Sequence, residues 1–301
     1  MLSRRILLGG VAVATLAGCG VLPAADRPTT APTPDPSVPG HEALRDLRSA
    51  LDAAASRPLS GAQAGLVSWA LGVNDDQHEA TSLTSPATPH PTPRPAAAPA
   101  DLDPLGHALQ RAAAAFTAQA LEPDTARPLV WASMGAWCVA VSAQLPDAPG
   151  AREPARGVRL PAPQEPHEAA QAALEAADAA VYGLQVAAGA PGLTPEEVSA
   201  LRSRLTSWSG LREDLAAQVR AASASPTPGP PWYAVPPVPD AAAGRALAAR
   251  VQASALPVLG RTLAHGPAGL RPLLVGALGG AAADVPRWGG LLERWPGLPS
   301  T

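Results

Sequence analysis

Lysine is absent from this 301-residue chain, phenylalanine occurs once, tyrosine twice and cysteine twice. Each scarcity narrows the reading. All 22 basic residues are arginine, and with abundant alanine, proline and glycine this bias points to a very GC-rich genome such as that of an actinobacterium. Hydrophobic residues make up 47% of the chain, so a core is affordable, but with so few other aromatics its bulk must come from leucine and the seven tryptophans. Two cysteines, Cys19 and Cys138, give no disulfide framework once Cys19 is committed elsewhere, so packing alone must hold the fold.

Recognisable catalytic signatures are missing as well. No Gly-x-Ser-x-Gly elbow, no phosphate-binding glycine loop and no Glu-x-x-His occurs in the chain. His41-Glu42-Ala43-Leu44-Arg45 and His167-Glu168-Ala169-Ala170-Gln171 begin like a zinc-protease motif but lack its second histidine, and both read as exposed helix starts. Cys138 lies between Trp137 and Val139, apolar neighbours that raise a thiol's pKa, and reads as an inert core residue. No catalytic residue, resident metal or other cofactor is therefore expected.

What is present begins at the N-terminus. Arg4 and Arg5 precede an apolar run from Ile6 to Ala17, too short to span a bilayer, which ends in Leu16-Ala17-Gly18-Cys19. This is the pattern of a lipoprotein signal: residues 1–18 are removed and Cys19 becomes the lipidated N-terminus. Ser3-Arg4-Arg5-Ile6-Leu7-Leu8 also fits a twin-arginine export signal, and the general secretory route stays open beside it. The expected location is the outer face of the cell membrane, with acyl chains supplying the membrane affinity and an envelope protein as a further partner. Removing residues 1–18 leaves 20 arginines against 25 acids, a formal charge of −5, which disfavours nucleic-acid binding.

Residues 19–40 form a lipidated cysteine and a Pro/Thr-rich tether, which in an extended polyproline-like state reaches about 60 Å at ~3.1 Å per residue. An N-terminal helical region follows at 41–145. Leu44, Leu47 and Leu51 mark one short helix, while Leu66, Trp69 and Leu71 mark another that Asn74-Asp75-Asp76 is expected to break. Proline-rich residues 81–100 are a loop. Helices at 101–122 and 129–145 then form a hairpin; the second carries no charge, yet its serines, glutamine and length favour a buried helix over a membrane span.

After a linker at 146–165, residues 166–299 read as four amphipathic helices. The first, 167–189, sets an apolar stripe through Ala177 beside a polar one containing Glu168, Glu175 and Asp178. Thr194-Pro195-Glu196-Glu197 is a capping box opening the second helix, which turns Leu201, Leu205, Trp208 and Leu215 inward. Residues 225–239 cross over to a third helix at 240–265, bent at Pro257, and a glycine-rich fourth runs from about Pro267 to Arg294. Trp232-Tyr233 in the crossover reads as a pin to the bundle, with stacking on a ligand as the alternative.

The long second-to-third connection suggests a ferritin-like topology, an all-α fold with extra N-terminal helices and Pro-rich linkers. Ala173-Leu174 through Val181-Tyr182-Gly183, Arg212-Glu213-Asp214-Leu215, Tyr233-Ala234-Val235-Pro236 and Trp295-Pro296-Gly297-Leu298-Pro299 resemble an actinobacterial ferritin-like domain family of unknown function, often carried on exported lipoproteins. The resemblance implies that a Glu and a His of the family stand where this chain has Ala177 and Trp208, so the interior is expected to hold carbon in place of metal ligands. Three function classes remain: a degenerate, metal-free binding or scaffolding module; a metal protein with atypical ligands Glu168, Glu175 and Asp178; and a cleft between the two helical parts that takes an apolar ligand. The stripe's spacing closes no coordination shell, which favours a solvated face.

Overall fold

The computed structural model describes residues 39–81, 94–95, 100–146, 152–154, 158–222, 224–227, 229–230 and 232–299. The export signal, Cys19, nearly all of the tether and most of the 81–100 loop lie outside these residues. Among the described residues the chain forms eight α-helices: α1 (Pro39–Ala55), α2 (Gly61–Ala80), α3 (Asp103–Leu121), α4 (Pro128–Gln144), α5 (Pro166–Ala188), α6 (Pro195–Ala221), α7 (Ala241–His265) and α8 (Arg271–Arg287). The fold is all-α, with a short parallel pairing of Pro58–Leu59 with Arg94–Pro95 as its extended element. None of the helices is long and apolar enough to cross a membrane.

Helix α4 explains much of the arrangement. Proline at its start fixes φ where the helix needs no donor, and from Leu129 to Cys138 every residue is buried. An uncharged helix that is apolar all round must be covered on several sides. It pairs with α3 in the expected hairpin and lies along α8 on another side, while Trp137 meets Trp69 of α2 at 6.2 Å between ring centroids. Helices α5 to α8 pack in turn, α5 against α6 and α7, and α7 against α8; α6 and α8 approach each other only sparsely. Alanines 169, 170, 173, 177 and 180 make the buried face of α5 thin enough for its neighbours to close on it. One apolar cluster runs through residues of all eight helices.

Two helix ends differ from expectation. Helix α2 does not break at Asn74-Asp75-Asp76, because the charges there have partners. Asp75 accepts from Arg48 Nη1 at 2.7 Å, and Asp76 accepts from Arg294 Nη2 at 2.6 Å and Nε at 3.0 Å. With both carboxylates paired, the helix continues to Ala80. Its start is fixed by a capping box between Ser60 and Gln63. Helix α8 stops at Arg287, one turn and more before Arg294. Gly289 takes φ 85°, the Gly290 N–H reaches Val285 O at 2.8 Å and the Gly289 N–H reaches Pro286 O at 3.0 Å, which together form a Schellman motif. The capping box at Thr194 and Glu197 forms as expected, and Glu197 also accepts from Arg245 Nε at 2.6 Å. Pro257 sits inside α7, which runs through it to His265.

The chain closes with a turn seated on the bundle. Pro296 and Gly297 occupy its centre, Gly297 has φ 85°, and the Leu298 N–H returns to Trp295 O at 3.1 Å, the geometry of a type II turn. Trp295 and Leu298 are buried. The turn lies directly on Gly260 of α7, where an added Cβ would overlap the Gly297 carbonyl. Gly260→Ala is therefore expected to cost about 3 kcal/mol by forcing the tail off its seat. Gly279→Ala, in α8 where a Cβ meets nothing within 4 Å, should instead gain about 0.5–1 kcal/mol. Paired thermal melts check both signs.

Candidate functional site

The interior of α5 to α8 contains Ala177 and Trp208 where the sequence places them, both buried. It is not filled by carbon alone, as expected from the inward stripes. The Trp208 indole N–H donates to Gln252 Oε1 at 3.1 Å, and the Gln252 amide donates to Asp284 Oδ2 at 3.3 Å. Asp284 also accepts from Arg204 Nε, and Arg204 Nη2 donates to Gly280 O at 2.9 Å. A hydrogen-bonded chain thus crosses from α6 through α7 to α8 and back, with a buried carboxylate neutralised by a guanidinium. Sequence reasoning missed Gln252, Asp284 and Arg204. A signal existed for one of them, since Asp284 is the only charged side chain between Pro272 and Pro286. Beside this chain, where α6 and α8 separate, a cleft of about 410 Å³ is lined by Arg204, Trp208, Leu211, Asp214, Leu273 and Gly276.

The acidic stripe of α5 is spread over its surface. Glu168 and Glu175 are exposed and Asp178 is half-buried. Glu175 accepts from Gln171 Nε2 at 3.2 Å, and Asp178 stands 3.8 Å from Arg212 Nη1. Tyr233 leans on Tyr182 at 5.4 Å, and its hydroxyl pKa is raised by burial and then by the Asp178 and Glu175 carboxylates. Tyr233 therefore packs the crossover onto α5, whereas its neighbour Trp232 is 67% exposed and pins nothing. Among the described residues no three His, Cys, Asp or Glu side chains gather as a metal-binding group.

Two further residues can be placed. Cys138 is fully buried and its thiol pKa is pushed far up by loss of solvent, so it stays protonated. His167 is exposed, but His41 is not the exposed helix start expected of it: it is buried against Trp131 at 5.4 Å between rings.

The least expected feature lies in the N-terminal helices. Asn74, Gln77 and His78 of α2, spaced three and four apart, share one face and are at most 2% exposed; Ser133 and Trp137 of α4 are fully buried. Both Asn74 amide atoms, both Gln77 amide atoms, both His78 ring nitrogens, the Ser133 hydroxyl and the Trp137 indole nitrogen have no protein partner. Leaving one such group unmet costs about 1–3 kcal/mol, against a total stability of about 5–15 kcal/mol for an ordinary domain. Burial lowers the His78 pKa, Arg48 lowers it further, Asp75 raises it, and Arg45 and His41 lower it again. Asn74 belongs to the stretch that reads as a helix break, yet it lies inside the helix and inside the core.

Compared with known proteins, residues 169–300 match the family described as Domain of unknown function (DUF4439), from the first turn of α5 through the terminal turn. No curated protein and no solved structure matches the chain.

Two outcomes follow from this geometry. Gln252→Leu strands the Trp208 N–H and removes one donor from Asp284, so it should cost about 1–3 kcal/mol in a denaturant titration, although it adds apolar volume. The second concerns pH. A histidine whose folded pKa is below its unfolded value binds fewer protons in the folded state, so stability is lost as pH falls through about 6.5 and below. The midpoint of thermal unfolding should therefore drop between pH 7.5 and 5.5, and His78→Gln should flatten that slope.

Proposed function

We propose that this chain is an exported lipoprotein, anchored through Cys19 to the outer face of the cell membrane, whose helical body serves as a binding or scaffolding module with a ferritin-like, metal-free core. The observation that carries the reading is Arg4-Arg5, the apolar run and Leu16-Ala17-Gly18-Cys19 at the head of the chain, followed by a proline-rich stretch of the kind that holds a folded body away from a bilayer. The single remaining cysteine is a buried, protonated thiol, which suits a chain that relies on packing in an oxidising compartment.

The non-catalytic part of the proposal rests on the interior. At the inward positions where the resembled family carries a Glu and a His, this chain has Ala177 and Trp208. The one buried carboxylate of the α5 to α8 interior, Asp284, is held by Arg204 and Gln252. Its lone pairs face a guanidinium and an amide in place of a metal. Recognition would then fall to the surface, with a protein of the envelope as the partner class.

The reading is tested by expressing the full chain in an actinobacterial host with a clickable fatty acid. Label incorporated into the protein and its recovery in the membrane fraction are expected. Cys19→Ser should abolish the label and shift the protein to the soluble fraction. An unlabelled, soluble wild-type chain would overturn the anchoring.

A further inference from the structure

We propose that α2 and α4 enclose a bound cluster of water molecules, held by the carboxamides of Asn74 and Gln77, the His78 imidazole and the Ser133 hydroxyl, which joins α2 to the rest of the core. The placement comes from three contacts that fix how the helices run past each other. Trp69 meets Trp137 at 6.2 Å; the Arg48–Asp75 ion pair at 2.7 Å sets α1 beside the second half of α2; and His41 of α1 meets Trp131 at 5.4 Å. Helix α2 thus runs antiparallel to α4, with Trp69 opposite Trp137 and His78 toward Trp131. That register puts Ser133 across from Asn74 and Gln77. Ser133 and Trp137 are one turn apart and share a face.

Helix α2 has a distinct neighbour on each flank. Asp75 turns to Arg48 of α1, while Trp69 and Asp76 turn to Arg294 of the C-terminal segment. Between those flanks Asn74 and Gln77 are fully buried on the inner face of α2, and the register set by Trp69 and Trp137 places that face opposite α4. The backbones of α2 and α4 are in close contact at few positions, so it is side chains and what they hold that fill the layer.

The donor and acceptor set selects the ligand. Each carboxamide offers two N–H donors and one acceptor oxygen, the neutral imidazole offers one of each, the hydroxyl offers both, and the indole offers a donor. A cation would meet amide and indole N–H groups, and an anion would meet amide oxygens. A neutral molecule that both donates and accepts satisfies all of them. The enclosure, at most 2% exposure for each of these residues, limits its size. Water fits, since a buried water makes about three hydrogen bonds to groups of this kind and a domain holds about one per ~27 residues.

The decisive measurement is an atomic-resolution crystal structure of the mature chain, with water-to-amide NOEs on the Asn74 and Gln77 side chains in solution. Two or more ordered waters bridging those carboxamides to Ser133 or His78, and NOEs of the negative sign that long-lived bound water gives, are expected. Ser133→Ala should lose a bridging water and lower the folding equilibrium constant about tenfold. Ser133→Thr, which keeps the hydroxyl, should retain the waters. Direct contacts between Asn74, Gln77 and Ser133 with no water between them would overturn the proposal. So would a non-water solute in the layer, or a Ser133→Ala variant more stable than the parent.

Discussion

An uncharged helix cannot be left in water, and α4 is the constraint from which the rest of this architecture follows. From Leu129 to Cys138 it has no face to offer solvent. Two partners cannot enclose a helix about 10 Å across. Helix α3 covers one side as its hairpin mate, α8 covers another, and α7 together with α2 and the N-terminus of α1 covers what is left. The helices before residue 146 and those after 166 are thereby bound into one core. Disulfides have no part in this, and aromatic bulk is concentrated where it is needed: Trp131 and Trp137 on α4, Phe116 against Trp131, and Trp69 against Trp137.

Covering α4 with α2 brings polar groups inside, and these are handled in two ways. Charges are paired at the flanks: Arg48 takes Asp52 and Asp75, and Arg294 takes Asp76 while its backbone N–H donates to Glu153 at 2.8 Å. Glu153 O in turn accepts the Trp69 indole at 2.8 Å, so the segment around 153 is stitched between α2 and the C-terminal segment. Neutral groups, by contrast, are buried together on one face of α2. An arginine reaches across a helix surface to a carboxylate, but a carboxamide is too short to cross a layer alone. Paired charges at the edge and neutral amides at the centre follow from side-chain reach.

Helix existence was legible from periodicity almost throughout, because the signals were local. Leu44, Leu47 and Leu51, the Thr194 capping box and the Ala-rich stripe of α5 each declare themselves within one or two turns, and each forms as read. One misreading was a place where distant residues decide, another a place where backbone conformation does. Asn74-Asp75-Asp76 looks like a stop until Arg48 and Arg294, the latter 218 residues away, take up its charges. The end of α8 was hidden because its glycines at 276, 279 and 280 lie inside the helix whereas Gly289 ends it, and only φ separates the two uses. Of the candidate site, Ala177 and Trp208 were visible as inward positions. Gln252 was not, since a polar residue on an apolar stripe declares its role only through its partners, and Asp284 stood out only as a lone charge in an apolar stretch.

Those partners bear on how the C-terminal helices hold together. A buried carboxylate in a helical bundle needs a positive counterpart, and a metal ion or an arginine can supply it. Here Arg204 reaches Asp284 from α6, and its second donor goes to the Gly280 carbonyl, so one side chain spans the sparse α6–α8 edge. A Cβ on Gly280 would collide with that guanidinium, so the approach depends on glycine at this point. Gly280 thus has a reason beyond helix propensity, which it lowers: it lets the backbone act as an acceptor for the arginine that neutralises the interior. Trp208 completes the arrangement by filling volume while its N–H ties α6 to α7 through Gln252. Three helices are thereby cross-linked by side chains along the edge where the cleft opens.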